Sequence, residues 1–185
     1  MNSTAVRAPA DLSLDPKTAM TWSLPITLVL LAVVLTPHAV LYRENALKPL
    51  AAALGWWLVP AMVAGIAAHE LLHGVTMCVL GRLRWSDMAF GIQWKVLMPF
   101  AHPRKPIPAL AYGIGAAAPG LVLGLAPAVV GLAMGSGVWS GWGAIFLSAA
   151  AGDLIVIYSL WHVPATALVR DHPTRVGCEV VAVGS

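Results

Sequence analysis

Four long apolar runs decide what this chain can fold into: roughly Trp22–Tyr42, Gly55–Leu80, Ala109–Met134 and Gly141–Leu168. A helix needs about 20 consecutive, mostly apolar residues to cross the hydrocarbon core of a bilayer. Four such runs occupy most of a chain of 185 residues. Charged residues are only 10% of the sequence and hydrophobic ones 59%, where a soluble domain carries roughly 25% charged residues. A globule this small keeps a large surface for its volume and could not hide so much apolar side chain from water. A soluble enzyme, a disordered chain and a secreted disulfide scaffold are disfavoured together. The expected fold is an all-α integral membrane protein of about four transmembrane helices.

Aromatic residues near the run ends, Trp22, Tyr42, Trp56, Trp57, Trp139, Trp142 and Trp161, mark the membrane interfaces. With four spans, Arg7, Lys17, Arg82, Arg84, Lys95, Arg104, Lys105, Arg170 and Arg175 share one side, and only Arg43 and Lys48 face the other. The excess of positive charge predicts that both termini are cytoplasmic. Residues 1–21 and 169–185 are then cytoplasmic tails around a membrane-embedded domain at 22–168. The first run follows a mixed polar segment and is long enough to stay as an anchor, so it is not read as a cleaved signal peptide. A prokaryotic plasma membrane is the expected location. The net charge of +3 is scattered rather than massed in a stripe, so no nucleic-acid partner is expected. Cys78 and Cys178 give neither a disulfide framework nor a CxxC site.

Between the second and third runs the even positions read Met88, Phe90, Ile92, Trp94, Val96 and Met98, against Asp87, Gly91, Gln93 and Lys95 at odd ones. A period of two predicts a short strand or hairpin segment over 87–98 with one apolar face. Gly91 is expected to mark a bulge or a bend. Pro99, Pro103, Pro106 and Pro108 are expected to keep the chain irregular until the third span.

The chemistry is concentrated inside the second run, at His69-Glu70-Leu71-Leu72-His73-Gly74. Two histidines at i and i+4 share a helix face and can reach one metal ion, and the adjacent glutamate can act as general base on a water there. Ionisable groups deep in a membrane are costly and usually functional. Ala61 and Gly65 continue the same face with small side chains that admit a neighbouring helix. Cys78, nine residues from His69, points to the opposite side of the helix and is not counted as a ligand. Catalytic zinc takes three protein ligands and an open position. Asp153 is the best third candidate, as the only acidic residue in the fourth run. His162 and His38 remain competitors, while His102 and His172, each beside a proline, suit structural or interfacial roles. In the third run Ala116, Gly120, Gly124 and Ala128 form a small-residue ridge, and Pro119 is expected to bend that helix near the site.

With His69-Glu70-Leu71-Leu72-His73-Gly74, then Ala117-Ala118-Pro119-Gly120, then Gly152-Asp153-Leu154, the chain resembles the putative zincin peptidases, small membrane proteins similar to site-2 proteases. The resemblance covers roughly residues 50–175 and implies a three-helix core to which the first span is an addition. It implies that His69, His73 and Asp153 hold Zn²⁺ and that Glu70 activates water. It also implies a strand that presents substrate in extended form, the slot into which Met88–Met98 falls, so Phe90, Ile92 and Trp94 are the expected substrate-binding side chains. Where site-2 proteases usually carry Asn-Pro-Asp-Gly, this chain has Ala151-Gly152-Asp153-Leu154. The expected activity is that of a zinc-dependent intramembrane metallopeptidase acting on a membrane protein or peptide. The alternative is a non-catalytic membrane protein that keeps a structural or sensory zinc site. A metal transporter is disfavoured, because the non-cytoplasmic half of the spans has almost no ionisable residues.

Overall fold

The computed structural model describes residues 9–43, 57–94 and 98–182. Arg7, Trp56, Lys95, Val96 and the polar break from Glu44 to Pro49 lie outside the described residues. Helix α1 runs Pro16–Tyr42, α2 Leu58–Leu80 and α3 Ala109–Met134. Each is long and apolar enough to cross a membrane. The Asp15 carboxylate caps α1 by accepting from the Lys17 N–H at 2.9 Å, and Pro16 takes the first helical position, where a missing N–H does no harm. Within α3 a π-helical stretch, Gly120–Leu125, follows Pro119 directly. The shift to longer-range bonds accommodates the proline without interrupting the span. Gly135, at φ 66°, ends the helix in the left-handed conformation that glycine adopts without strain.

The fourth run differs from the expected Gly141–Leu168. Helix α4 covers Gly137–Ala149 and α5 covers Ala151–Ser159, bent by 44° across Ala150. Ser136 caps the start of α4. The helix ends short because Pro164 forbids its continuation and Leu168 already belongs to a strand. Taken as one span, the bent pair α4–α5 supplies the fourth apolar segment that the sequence anticipates.

Two small sheets flank the spans. Strands β1 (Ala10–Asp11), β4 (Ile107–Pro108), β5 (Leu168–Asp171) and β6 (Cys178–Ala182) form an antiparallel sheet in the order β1-β6-β5-β4. Residues at both ends of the chain, read from the sequence as tails, are thus paired with each other. The pairing also bears on topology. A strand before α1, another before α3 and two after α5 are hydrogen-bonded together, the arrangement expected of four crossings with these segments on one side.

Strands β2 (Met88–Gln93) and β3 (Met98–Pro103) form a hairpin, in register from Met88↔Pro103 to Gln93↔Met98. The alternation read across 88–98 is therefore one strand and the start of its return. Pro99 and Pro103 do not prevent the second strand, contrary to expectation. They stand four apart, on the same parity, and their missing N–H groups fall on one edge of a two-stranded sheet that has a spare edge. Gly91 is neither bulge nor bend. It pairs with Phe100, whose ring would lie 2.7 Å from a Cβ at that position.

The chain forms two compact units, Met1–Thr21 with Glu70–Ala118 and Gly152–Ser185, and Trp22–His69 with Pro119–Ala151. The first is built around Met77, Met88, Ile107, Tyr112, Val156, Val169, Cys178 and Val180. In the second, the small residues of α3 admit α4: a Cβ at Gly124 would meet the Leu147 backbone at 2.6 Å, and one at Gly143 the Ala128 backbone at 2.3 Å. Gly65 accommodates the Phe146 ring in the same way. The small-residue ridge read from the sequence is an interface.

Candidate metal centre

Helix periodicity stacks His69 and His73 one turn apart on α2, with Glu70 beside the first. Asp153 lies in the first turn of α5, just beyond the bend, where a helix N-terminus favours a carboxylate. One ligand atom from each of His69, His73 and Asp153 comes within 4.8 Å of the others. His73 is 8% exposed, and His69, Glu70 and Asp153 are half-buried. His73 Nε2 stands 3.4 Å from Asp153 Oδ1.

The orientation of His73 is set from behind. Its Nδ1 lies 2.9 Å from the Gly115 carbonyl oxygen of α3. A carbonyl only accepts, so Nδ1 carries a proton and donates it, which leaves Nε2 as the nitrogen turned toward Asp153 and the one able to bind a metal when unprotonated. Metal-binding histidines are usually held this way through the second ring nitrogen. Two ligand atoms bonded to one tetrahedral zinc at 2.0–2.1 Å are themselves about 3.3–3.4 Å apart, which the His73–Asp153 separation matches. Two imidazoles and a carboxylate form a donor set used by catalytic zinc, with a fourth position left open. The residues fit the ion.

The competing histidines are elsewhere. His38 is buried with its Nδ1 2.9 Å from the Ser140 hydroxyl and its ring against Tyr42. His162 is exposed in the turn after α5. His172 accepts from the backbone N–H groups of Thr174 and Arg175. Cys78 donates to the Leu83 carbonyl at 3.3 Å. Among the described residues, His69, His73 and Asp153 are the group brought together in ligand geometry.

The hairpin reaches the second histidine's neighbour. The Phe90 ring lies against Gly74, where a Cβ would come within 2.4 Å of it, and Trp85 packs on Phe90 with ring centroids 5.1 Å apart. Ile92 and Trp94 are exposed, at 45% and 75%. The loop leading into β2 is tied down by Asp87, which accepts from Lys105 Nζ at 2.8 Å and from the Arg84 N–H at 3.0 Å. Both donors hold its carboxyl below the usual carboxylate range.

Sequence reasoning missed a second polar cluster. Asp171, at the end of β5, accepts from the Tyr112 hydroxyl of α3 and pairs with His102 Nδ1 of β3. His102 is stacked on Phe100. Asp171 sits in a segment that reads as a tail, and no spacing in the sequence links it to Tyr112 or His102.

A family model described as "Putative zincin peptidase" matches residues 62–168, just over half of the chain and all four residues of the centre. No curated protein and no solved structure matches.

Proposed function

The chain belongs to the putative zincin peptidase family, and on that premise we propose that it is a zinc-dependent intramembrane metallopeptidase. The observation that carries the reading is the meeting of Asp153 with the two histidines of His69-Glu70-Leu71-Leu72-His73. His69, His73 and Asp153 would hold the ion, which supplies Lewis-acid polarisation of a carbonyl and acidification of water. Glu70 takes the proton of the attacking water on its carboxylate and returns it to the leaving amine. His73, kept in one tautomer by Gly115, remains a fixed ligand throughout.

His73 lies seven residues before Leu80, the end of α2, which sets the centre about 10 Å below that membrane surface. A helical substrate must unwind there, because a helix engages its own carbonyls. The free edge of β2 suits an unwound segment by strand addition, with Phe90, Ile92 and Trp94 as its contacts. The substrate class is therefore a membrane protein or peptide with an extended stretch near this surface. The basic excess on the sheet-bearing side supports a cytoplasmic orientation for that side, in a prokaryotic plasma membrane.

The test is zinc content per chain in detergent-purified protein, for the wild type beside His69→Ala and Asp153→Ala. About one zinc in the wild type and none in either variant is expected of a three-ligand site. A wild type that takes up no zinc after reloading overturns the reading. Zinc bound without cleavage of any membrane substrate, together with tolerance of Glu70→Gln in cells, would favour a structural or sensory site instead.

A further inference from the structure

The hydrogen bond behind His73 depends on two features of α3 four residues apart. The first is a close approach. A Cβ at Gly115 would lie 2.4 Å from Met77 Cγ, 3.0 Å from its Cε and 3.5 Å from its Sδ. Met77 is 4% exposed and packed in the core of its unit, so its side chain has little room to yield. Any larger residue at 115 must separate α3 from α2 at the level of His73. The second feature is a released acceptor. In an α-helix the carbonyl of residue i accepts from the N–H of residue i+4. For Gly115 that residue is Pro119, which has no N–H.

We propose that Gly115, with Pro119 four residues on, is the positioning residue for His73: glycine brings the α3 backbone within reach of the imidazole, and proline leaves its carbonyl without the usual intrahelical partner. The carbonyl then fixes the Nδ1–H tautomer and directs Nε2 to the face shared with His69 and Asp153. This rests on the reading of His73 as a zinc ligand. It goes beyond that reading by giving the Gly-Ala-Ala-Ala-Pro stretch of α3 a task other than helix packing. Gly113, on the same helix, is different: a Cβ there meets only Leu160 Cδ1, at an ordinary 3.6 Å.

The experiment uses full-length protein in detergent micelles with ¹⁵N-labelled histidine, with zinc affinity measured in parallel by chelator competition. In the zinc-free wild type, His73 Nδ1 should carry a hydrogen-bonded proton, whether or not Nε2 beside Asp153 is protonated as well. Gly115→Ala should lose that tautomer preference and weaken zinc binding about 10–100-fold, the usual effect of removing a partner behind a metal ligand. Gly113→Ala should change neither. The two crowding atoms, Cγ and Cε, lie beyond the Met77 Cβ, so Gly115→Ala combined with Met77→Ala should recover both the tautomer and most of the affinity. A zinc-free wild-type His73 with no proton on Nδ1 overturns the proposal even if no variant folds. So does a Gly115→Ala protein with wild-type tautomer and affinity. If the wild type binds no zinc yet shows the Nδ1–H signature, and Gly115→Ala removes it, positioning stands and the peptidase reading is what fails.

Discussion

His73 Nε2 and Asp153 Oδ1 stand 3.4 Å apart, one on α2 and one on the far side of a bend in the fourth span. The bend places Asp153 in the first turn of a new helix rather than in the middle of an old one. Removal of either ligand should therefore be far more damaging than loss of a histidine outside the ligand group. Asp153→Ala is expected to weaken zinc by more than the roughly 10–100-fold that a supporting partner contributes. His162→Ala and His38→Ala should leave affinity unchanged. Chelator competition on the four proteins checks this, and a zinc loss in His162→Ala equal to that in Asp153→Ala would move the third ligand.

Glu70 is adjacent to a ligand and outside the ligand group. Glu70→Gln should keep zinc at wild-type stoichiometry and lower the cleavage rate about 10²–10⁴-fold, the range for removal of a general base. Cleavage of a membrane-inserted test substrate in proteoliposomes, with metal analysis of the same sample, reads both quantities. Undiminished cleavage would take Glu70 out of the mechanism.

The spans, the two histidines and Asp153 were legible because membrane solvent makes strong demands on sequence. Apolar runs of sufficient length have few alternatives, and a buried ionisable residue stands out against them. The hairpin was half legible. Its first strand alternates, but Pro99 and Pro103 disguise the second, since sequence alone does not reveal which edge of a strand is spare. The four-stranded sheet was invisible. Its strands β1 and β4 have two residues each, too short for any period, and their pairing joins segments from both ends of the chain. The carbonyl behind His73 is a backbone group, and only the three-dimensional approach of Gly115 to Met77 reveals it.

The sheet makes a prediction about topology that does not depend on catalysis. Since β1 and β6 are hydrogen-bonded neighbours, reporters fused to the two ends of the chain should report the same compartment. With the basic excess on that side, the expected compartment is the cytoplasm. Opposite readings from the two fusions would contradict the sheet; two external readings would contradict only the orientation.

Asp171 links β3, α3 and β5 through His102 and Tyr112. Tyr112 is 4% exposed, so Asp171→Ala leaves its hydroxyl buried without this acceptor, at an expected loss of about 1–3 kcal/mol. Tyr112→Phe should be less damaging in the Asp171→Ala background than in the wild type, because the orphaned hydroxyl is then gone. Thermal unfolding of the two single variants and the double variant measures the coupling. Strict additivity would mean that the pair contributes nothing.

Cys178 provides the pH dependence. Its thiol is fully buried in β6, and burial, with Asp171, Asp11 and Glu179 nearby, pushes it from an ordinary value near 9 up to about 12. The folded protein thus holds the neutral thiol where the unfolded chain would release the proton. Below pH 9 both states keep the proton and the contribution to stability is complete; from pH 9 toward 12 it is progressively lost, because only the unfolded chain gains by ionising. Two results are expected. At pH 8 an alkylating reagent should modify Cys178 only after unfolding, since the thiolate is the reactive form. Between pH 9 and 11 the wild type should lose melting temperature faster than Cys178→Ala, which has no thiol to titrate. Parallel pH profiles for the two proteins, or alkylation of Cys178 in the folded state at the rate of a free thiol, would show that the sheet does not seal this residue as its burial indicates.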